Sequence, residues 1–190
     1  MKIMIASDIH GSAYYCKKML EAYKQEKAEK LLLLGDILYH GPRNDLPRDY
    51  DPKKVIDMLN NISDEILCVR GNCEAEVDQM VLNFPLLAEY CILYAGHRMI
   101  FATHGHNFNM DNIPSMKKGD ILLNGHTHVP KCVGFGGDGK HDYIYMNPGS
   151  VSIPKENSDN GYMILEDCKF TWKDFEGNSC MEYNIKDICC

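Results

Sequence analysis

Short apolar runs, each halted by a polar residue, recur along this chain. Residues 2–7, 31–34 and 65–69 read as buried strands, because continuous apolar runs of this length fit strands covered on both faces. Between the first two, Tyr15, Met19, Ala22 and Tyr23 recur at helical spacing within residues 12–27. Between the second and third, Asp51-Pro52 opens another helix: Asp caps it, Pro takes the first helical position, and Val55, Ile56, Leu59 and Ile62 form its apolar face. This strand–helix order predicts a parallel sheet with crossover helices. Residues 40–52, with Pro42, Pro47 and Pro52, read as a loop, and residues 74–82 as a short helix.

The second half is strand-rich. Residues 86–94 and 97–103 read as a hairpin joined by Ala95-Gly96, and residues 120–123 as a further buried strand. Lys131–Phe135 and residues 142–146 flank a glycine-rich turn, and residues 162–166 and 169–175 form a final pair. The turn, Gly134-Phe135-Gly136-Gly137-Asp138-Gly139-Lys140, imitates a phosphate-binding loop. Such loops need a helix to follow, whereas the residues after His141 read as strand. With no repeat and no linker, residues 1–190 are read as one α/β domain.

The candidate chemistry lies at the strand ends. Asp8 and His10 follow the first strand, Asp36 the second, Asn72 the third, His104 and His106 the run ending at Thr103, and His126 and His128 the run ending at Leu123. Ligand sites of open α/β sheets lie at the carboxyl ends of strands, so strands sharing a sheet would bring these groups to one edge. Carboxylates and an amide supply hard oxygen and imidazoles supply borderline nitrogen, a set suited to manganese and also to iron, zinc, nickel or cobalt. Asp8, His10, Asp36, Asn72, His104, His126 and His128 are too many donors for one ion and suit two ions sharing a carboxylate.

Charge and cysteine content narrow the setting. With 27 acidic and 20 basic residues the formal net charge is −7, which argues against long nucleic acid and against a membrane surface. A small phosphate ester stays open if something else supplies positive charge. The nine cysteines include no Cys-x-x-Cys pair, and the first residues lack the apolar stretch of a secretory signal. The expectation is a cytoplasmic protein whose cysteines mostly pack as small hydrophobes.

Asp8-x-His10, Gly35-Asp36, Gly71-Asn72-Cys73-Glu74, His104-Gly105-His106 and Gly125-His126-x-His128 together resemble the calcineurin-like metallophosphoesterases, and within them the YfcE-like phosphodiesterases. His40-Gly41-Pro42-Arg43-Asn44 and the segment from Asn147 to Lys155 look like the same subfamily. The resemblance implies mixed β-sheets packed in a sandwich flanked by helices. It implies two divalent ions, the first held by Asp8, His10, Asp36 and His128, the second by Asn72, His104 and His126, with Asp36 bridging. It further implies in-line attack of a hydroxide carried by the two ions on a small phosphodiester.

One position departs from the family pattern. Many members have His after the motif Asn; here it is Cys73, as in YfcE-like members. A thiol is a weak donor and neutral when protonated, so diesters with acidic leaving groups are expected as substrates. Arg43 and Asn44 sit where they could meet a phosphate oxygen or the leaving group, or only fix their loop, and His106 is a candidate for supporting a metal ligand or for facing substrate. Phe108 is a candidate for a leaving-group pocket or for packing. The resemblance also admits a scaffold of the small retromer subunit's kind that retains metal, and it leaves a homo-oligomer open. The Cys189-Cys190 pair is assigned no role.

Overall fold

The computed structural model describes residues 1–136 and 142–185. Strands β1 (Ile3–Ala6) and β2 (Lys30–Leu33) pair in parallel through helix α1 (Ala13–Glu26). The Ser12 side chain accepts the Tyr15 N–H at 3.3 Å, and Lys27, in the left-handed region at φ 54°, ends the helix. Asp51 caps α2 (Pro52–Asn60) by accepting the Lys54 N–H at 3.2 Å, and Pro52 begins it. Beyond α2, β3 (Ile66–Cys68) joins β2 in parallel.

A short helix α3 (Glu76–Gln79) leads to the hairpin β4 (Cys91–Ala95) and β5 (Arg98–Ala102). Next come β6 (Ile121–Leu123), β7 (Lys131–Phe135), β8 (Tyr143–Asn147), β9 (Gly161–Glu166), β10 (Lys169–Asp174) and β11 (Ser179–Asn184). Two mixed sheets result, in the orders β11-β10-β9-β1-β2-β3 and β4-β5-β6-β8-β7.

Alternation along β1 and β2 builds the layers. Met4, Ala6, Leu31 and Leu33 pack on α1 and α2 with Cys16, Met19, Val55 and Leu59. Ile3, Ile5, Leu32 and Leu34 face the other way, onto Ile100, Ala102, Ile121 and Leu123 of the second sheet. A side chain on either face meets protein, which explains the unbroken apolar runs. The outer face of the second sheet carries Phe101, Leu122 and Tyr145 under Phe108, Met110 and Met116 of a long loop.

Helices α1 and α2 flank the sandwich on the outer face of the first sheet, as the resemblance implied. Other expectations are corrected. The helix expected over 74–82 spans four residues, because the Glu74 carboxylate turns inward onto backbone N–H groups. The strand expected from residue 86 begins at Cys91, since the Leu86 N–H donates to Gln79 Oε1 instead of a strand. Strand β11 escaped the sequence reading because only Met181 and Tyr183 mark its half-buried face. The element after the glycine-rich turn is strand β8, as expected, and residues 137–141 and Cys189-Cys190 lie outside the described residues. Cys16, Cys68, Cys73, Cys91, Cys132 and Cys180 are free, and Cys168 is disulfide-bonded. No helix of the described residues is long and apolar enough to cross a membrane.

Glu26 at the end of α1 ties the first sheet to that helix. It accepts from Lys173 Nζ at 2.6 Å and Tyr162 OH at 3.1 Å, and lies 3.3 Å from Lys2 Nζ. Burial raises its carboxyl's pKa, but the bond to Lys173 and the other donors outweigh this and hold it below the ordinary value. A depressed carboxyl stabilises the fold above its unfolded pKa and loses that contribution as pH falls through the folded value. Glu26→Gln is therefore expected to cost about 1 kcal/mol at pH 7. Urea unfolding of both proteins at neutral and strongly acid pH checks this; the gap should close in acid, and an equal gap at both would refute the assignment.

Candidate metal centre

The loops after β1, β2, β3, β5 and β6 meet at one end of the sandwich. The five strands belong to two sheets, β1, β2 and β3 to one and β5 and β6 to the other. Backbone bonds lace the loops together. Asp8 N–H donates to Gly35 O at 3.1 Å and His10 N–H to Asp36 O at 2.9 Å. Between the sheets, the His126 N–H donates to Asp8 Oδ2 at 3.0 Å.

Each imidazole of the inner set is oriented by its rear nitrogen. His10 Nδ1 lies 2.8 Å from Tyr39 O, His104 Nδ1 2.7 Å from Leu34 O, and His128 Nδ1 2.7 Å from Ile153 O. A carbonyl can only accept, so the Nδ1 atoms donate and a neutral ring then presents a lone pair at Nε2. Those lone pairs face one another and other acceptors. His10 Nε2 is 3.3 Å from His128 Nε2, and His104 Nε2 is 3.0 Å from Asn72 Oδ1 and 3.2 Å from His126 Nδ1.

The carboxylates divide their oxygens in the same way. Asp8 Oδ2 accepts from Ser7 Oγ at 2.6 Å and from His126 N–H, while Asp8 Oδ1 is buried with no hydrogen bond, 3.2 Å from His128 Nε2 and 3.5 Å from His10 Nε2. Asp36 Oδ1 accepts the Cys73 N–H at 2.9 Å, and Oδ2 lies 3.5 Å from His104 Nε2 and 3.7 Å from His10 Nε2.

Such a cluster of acceptors needs a cation. Burial lowers the His104 pKa, yet the contact with Asp36 and the Asp8 charge push it up to about 9. Burial likewise raises the Asp8 pKa, but His10 and His128 hold it well below the usual carboxylate range. The site thus binds positive charge against a desolvation cost. Hard oxygen and imidazole nitrogen in this number fit divalent metal. Three groups bring donor atoms within 4.8 Å of one another: Asp8, His10 and His128; Asp8, Asp36 and His104; and His10, Asp36 and Cys73.

The backbone is strained where it serves the centre. Asp8, His10, Asp36, His126 and His128 all have φ between 49° and 65°. Left-handed residues with side chains persist only where their surroundings over-determine them. Sequence reasoning missed the residues that do this. Ser150 Oγ and Ser152 Oγ both donate to Asp8 O, at 2.9 and 3.1 Å. Asn147 Nδ2 donates to Gly125 O at 2.6 Å, beside His126. The Glu74 carboxylate accepts from Gly71, Asp36 and Ile37 N–H groups at 2.5, 2.9 and 2.7 Å. The one signal in the sequence was their place inside the two quoted motifs.

A cavity of about 450 Å³ opens beside the cluster. Arg43, Asn44, Asn72, Cys73, His126 and His128 are on its wall, and so are Thr127 and Lys155, which have no role in the reading of the sequence motifs. His106 does not line it; its ring lies 5.5 Å from that of His104, where burial and the His104 charge lower its pKa. Phe108 packs edge-on against Phe101 at 5.5 Å instead of forming a pocket. Burial and the Asp36 charge push the Cys73 thiol up, so it stays protonated and neutral.

The calcineurin-like phosphoesterase superfamily domain matches residues 1–169. The phosphodiesterase YfcE of Escherichia coli K12 is 43% identical over 166 residues, covering 87% of this chain and 88% of that protein. A solved structure of Yfce, described as a phosphoesterase from E. coli, superposes with a TM-score of 0.90 at 40% identity, covering 98% of this chain and 100% of that one. Zinc-complexed Vps29 of Entamoeba histolytica shares the fold alone, with a TM-score of 0.54 and 22% identity over 90% of this chain and 89% of that one. The laced strand ends, the facing acceptors and these likenesses agree: the chain belongs to the calcineurin-like phosphoesterase superfamily.

Proposed function

We propose that this chain hydrolyses small phosphodiesters with the help of two divalent cations, manganese foremost. The observation that carries the reading is the convergence of imidazole lone pairs on carboxylate oxygens, including the orphaned Asp8 Oδ1. Asp8, His10, Asp36 and His128 would hold one cation and Asn72, His104 and His126 the other, with Asp36 shared. Bound there, the cations supply Lewis acidity toward a phosphoryl oxygen and lower the pKa of water. The net reaction adds water to phosphorus and breaks one P–O bond, and the departing oxygen receives water's proton.

The chain's own groups do the orienting. The carbonyls of Tyr39, Leu34 and Ile153 fix the imidazole tautomers, and Asp36 Oδ1 anchors the loop carrying Asn72. Arg43 stands on the cavity wall as the candidate contact to substrate; His106, outside that wall, acts through His104. The complete donor set favours an enzyme over a metal-retaining scaffold. Six free cysteines among the described residues support a cytoplasmic setting, and the disulfide-bonded Cys168 is the feature that runs against it.

Metal analysis with a panel of phosphodiesters and monoesters tests the reading, comparing wild type with Asn72→Ala and His126→Ala. Both variants should lose at least about a hundredfold in kcat/KM. Wild-type inactivity with two metals bound would favour the scaffold instead. A neutral thiol at Cys73 suits acidic leaving groups, so Cys73→His should extend activity to less activated esters, cyclic nucleotides included. An unchanged substrate profile in that variant would remove this role.

A further inference from the structure

The cavity beside the metal centre has more positive charge on its wall than a simple diester needs. Its one lining carboxylate, Asp36, is turned toward the imidazoles, whereas Arg43 and Lys155 come from two different loops. Neither makes an ion pair among the described residues, in a chain of net charge −7.

Both positions are built. Arg43 rides on a turn closed by Asn44 N–H to Gly41 O at 3.2 Å and by Asn44 Nδ2 to His40 O at 2.8 Å. The base of that turn lies on the centre: a Cβ on Gly41 would come within 3.3 Å of Cys73 Sγ. Lys155 is tied to a metal-ligand candidate, its N–H donating to His128 O at 3.1 Å. Its own carbonyl accepts from Ser158 N–H at 3.0 Å and Ser158 Oγ at 2.7 Å.

Two divalent cations against the Asp8 and Asp36 carboxylates already leave the centre positive, enough for the single charge of a diester. Two more cations on the wall would repel that centre, unless the substrate brings further negative charge to offset them. Arg offers a planar fork for phosphate oxygens and Lys a point charge. Binding energy from such a remote group can be used to position the reacting phosphorus.

We propose that Arg43 and Lys155 form an anion subsite on this cavity wall, and that the substrate is a phosphodiester with one arm bearing a second phosphate group. This rests on the phosphodiesterase reading above.

The test is a series of p-nitrophenyl alkyl phosphodiesters whose alkyl arm ends in methyl, trimethylammonium, carboxylate or phosphate. In the wild type, kcat/KM should be about tenfold or more higher for the phosphate-ended arm than for methyl, and lowest for trimethylammonium. Added salt should narrow the spread. In Arg43→Gln/Lys155→Gln, at exposed positions where the fold is checked by thermal melting, the phosphate-to-methyl ratio should fall to near one. Calorimetry supplies a second readout: the metal-loaded wild type should bind propane-1,3-diyl bisphosphate more tightly than propyl phosphate, and the double variant should not. A flat series in the wild type, a ratio that survives the double substitution, or a loss equal on all four esters would overturn the subsite; the last would put both cations on the scissile phosphoryl group. Hydrolysis of none of the four would instead count against the phosphodiesterase reading.

Discussion

Asp36→Asn should lower kcat/KM for any phosphodiester by at least about a thousandfold, equivalent to the several kcal/mol of charge stabilisation that a metal centre supplies. The reason is position. Asp36 Oδ2 lies 3.5 Å from His104 Nε2 and 3.7 Å from His10 Nε2, so this oxygen stands between the two halves of the donor set. Asp36 Oδ1 is already committed to the Cys73 N–H at 2.9 Å. An amide offers one oxygen and no charge. Either the loop loses its anchor or an N–H₂ group meets imidazole lone pairs. Metal content and kcat/KM measured on the same preparation decide the matter; two retained ions with a rate within tenfold of wild type would dismiss Asp36 as the shared ligand.

Glu74→Ala should be the most destabilising single change near the centre. The carboxylate is 5% exposed and accepts three backbone N–H groups from two different loops. Its removal strands three buried donors, each worth about 1–3 kcal/mol, so a loss of about 3 kcal/mol or more is expected. Gly71 explains why nothing else can take up the slack. A Cβ there would collide with Asp36 and with Glu74 itself, so the backbone packs directly on both. Glu74→Gln keeps an acceptor oxygen and should stay folded while metal affinity falls about ten- to a hundredfold, as for other groups that orient ligands. Urea unfolding of the metal-free proteins and calorimetric metal titration check the pair. Unchanged affinity in the Gln variant would reduce Glu74 to a purely structural part.

How much of this was legible beforehand differs by residue. β1 and β2 could be read because both faces are buried, so Ile3–Ala6 and Leu31–Leu33 are apolar without interruption. The cap at Asp51 acts on an N–H group three residues ahead and is therefore local. β11 was illegible because its face is half-exposed and its partner, β10, decides that it is a strand at all. Phe108 read as packing more readily than as pocket, and only the neighbouring Phe101 ring settles it.

The same division runs through the centre. Which donor types end which strands could be read locally, since each motif is a strand terminus with its own turn: Asp8 and His10, Asp36, Asn72, His104, His126 and His128 all stand in such turns. That strands of two separate sheets bring them together, and which oxygen or nitrogen of each is left free, follows from packing between distant parts of the chain. The carbonyls that orient the imidazoles, the serines that grip Asp8 O and the carboxylate under Gly71 act mostly across long stretches of chain. A hydrogen bond between residues 142 apart, as from Ser150 to Asp8, has no local periodicity or spacing to announce it; packing creates it, and with it the strained backbone that aims the acceptors at one another.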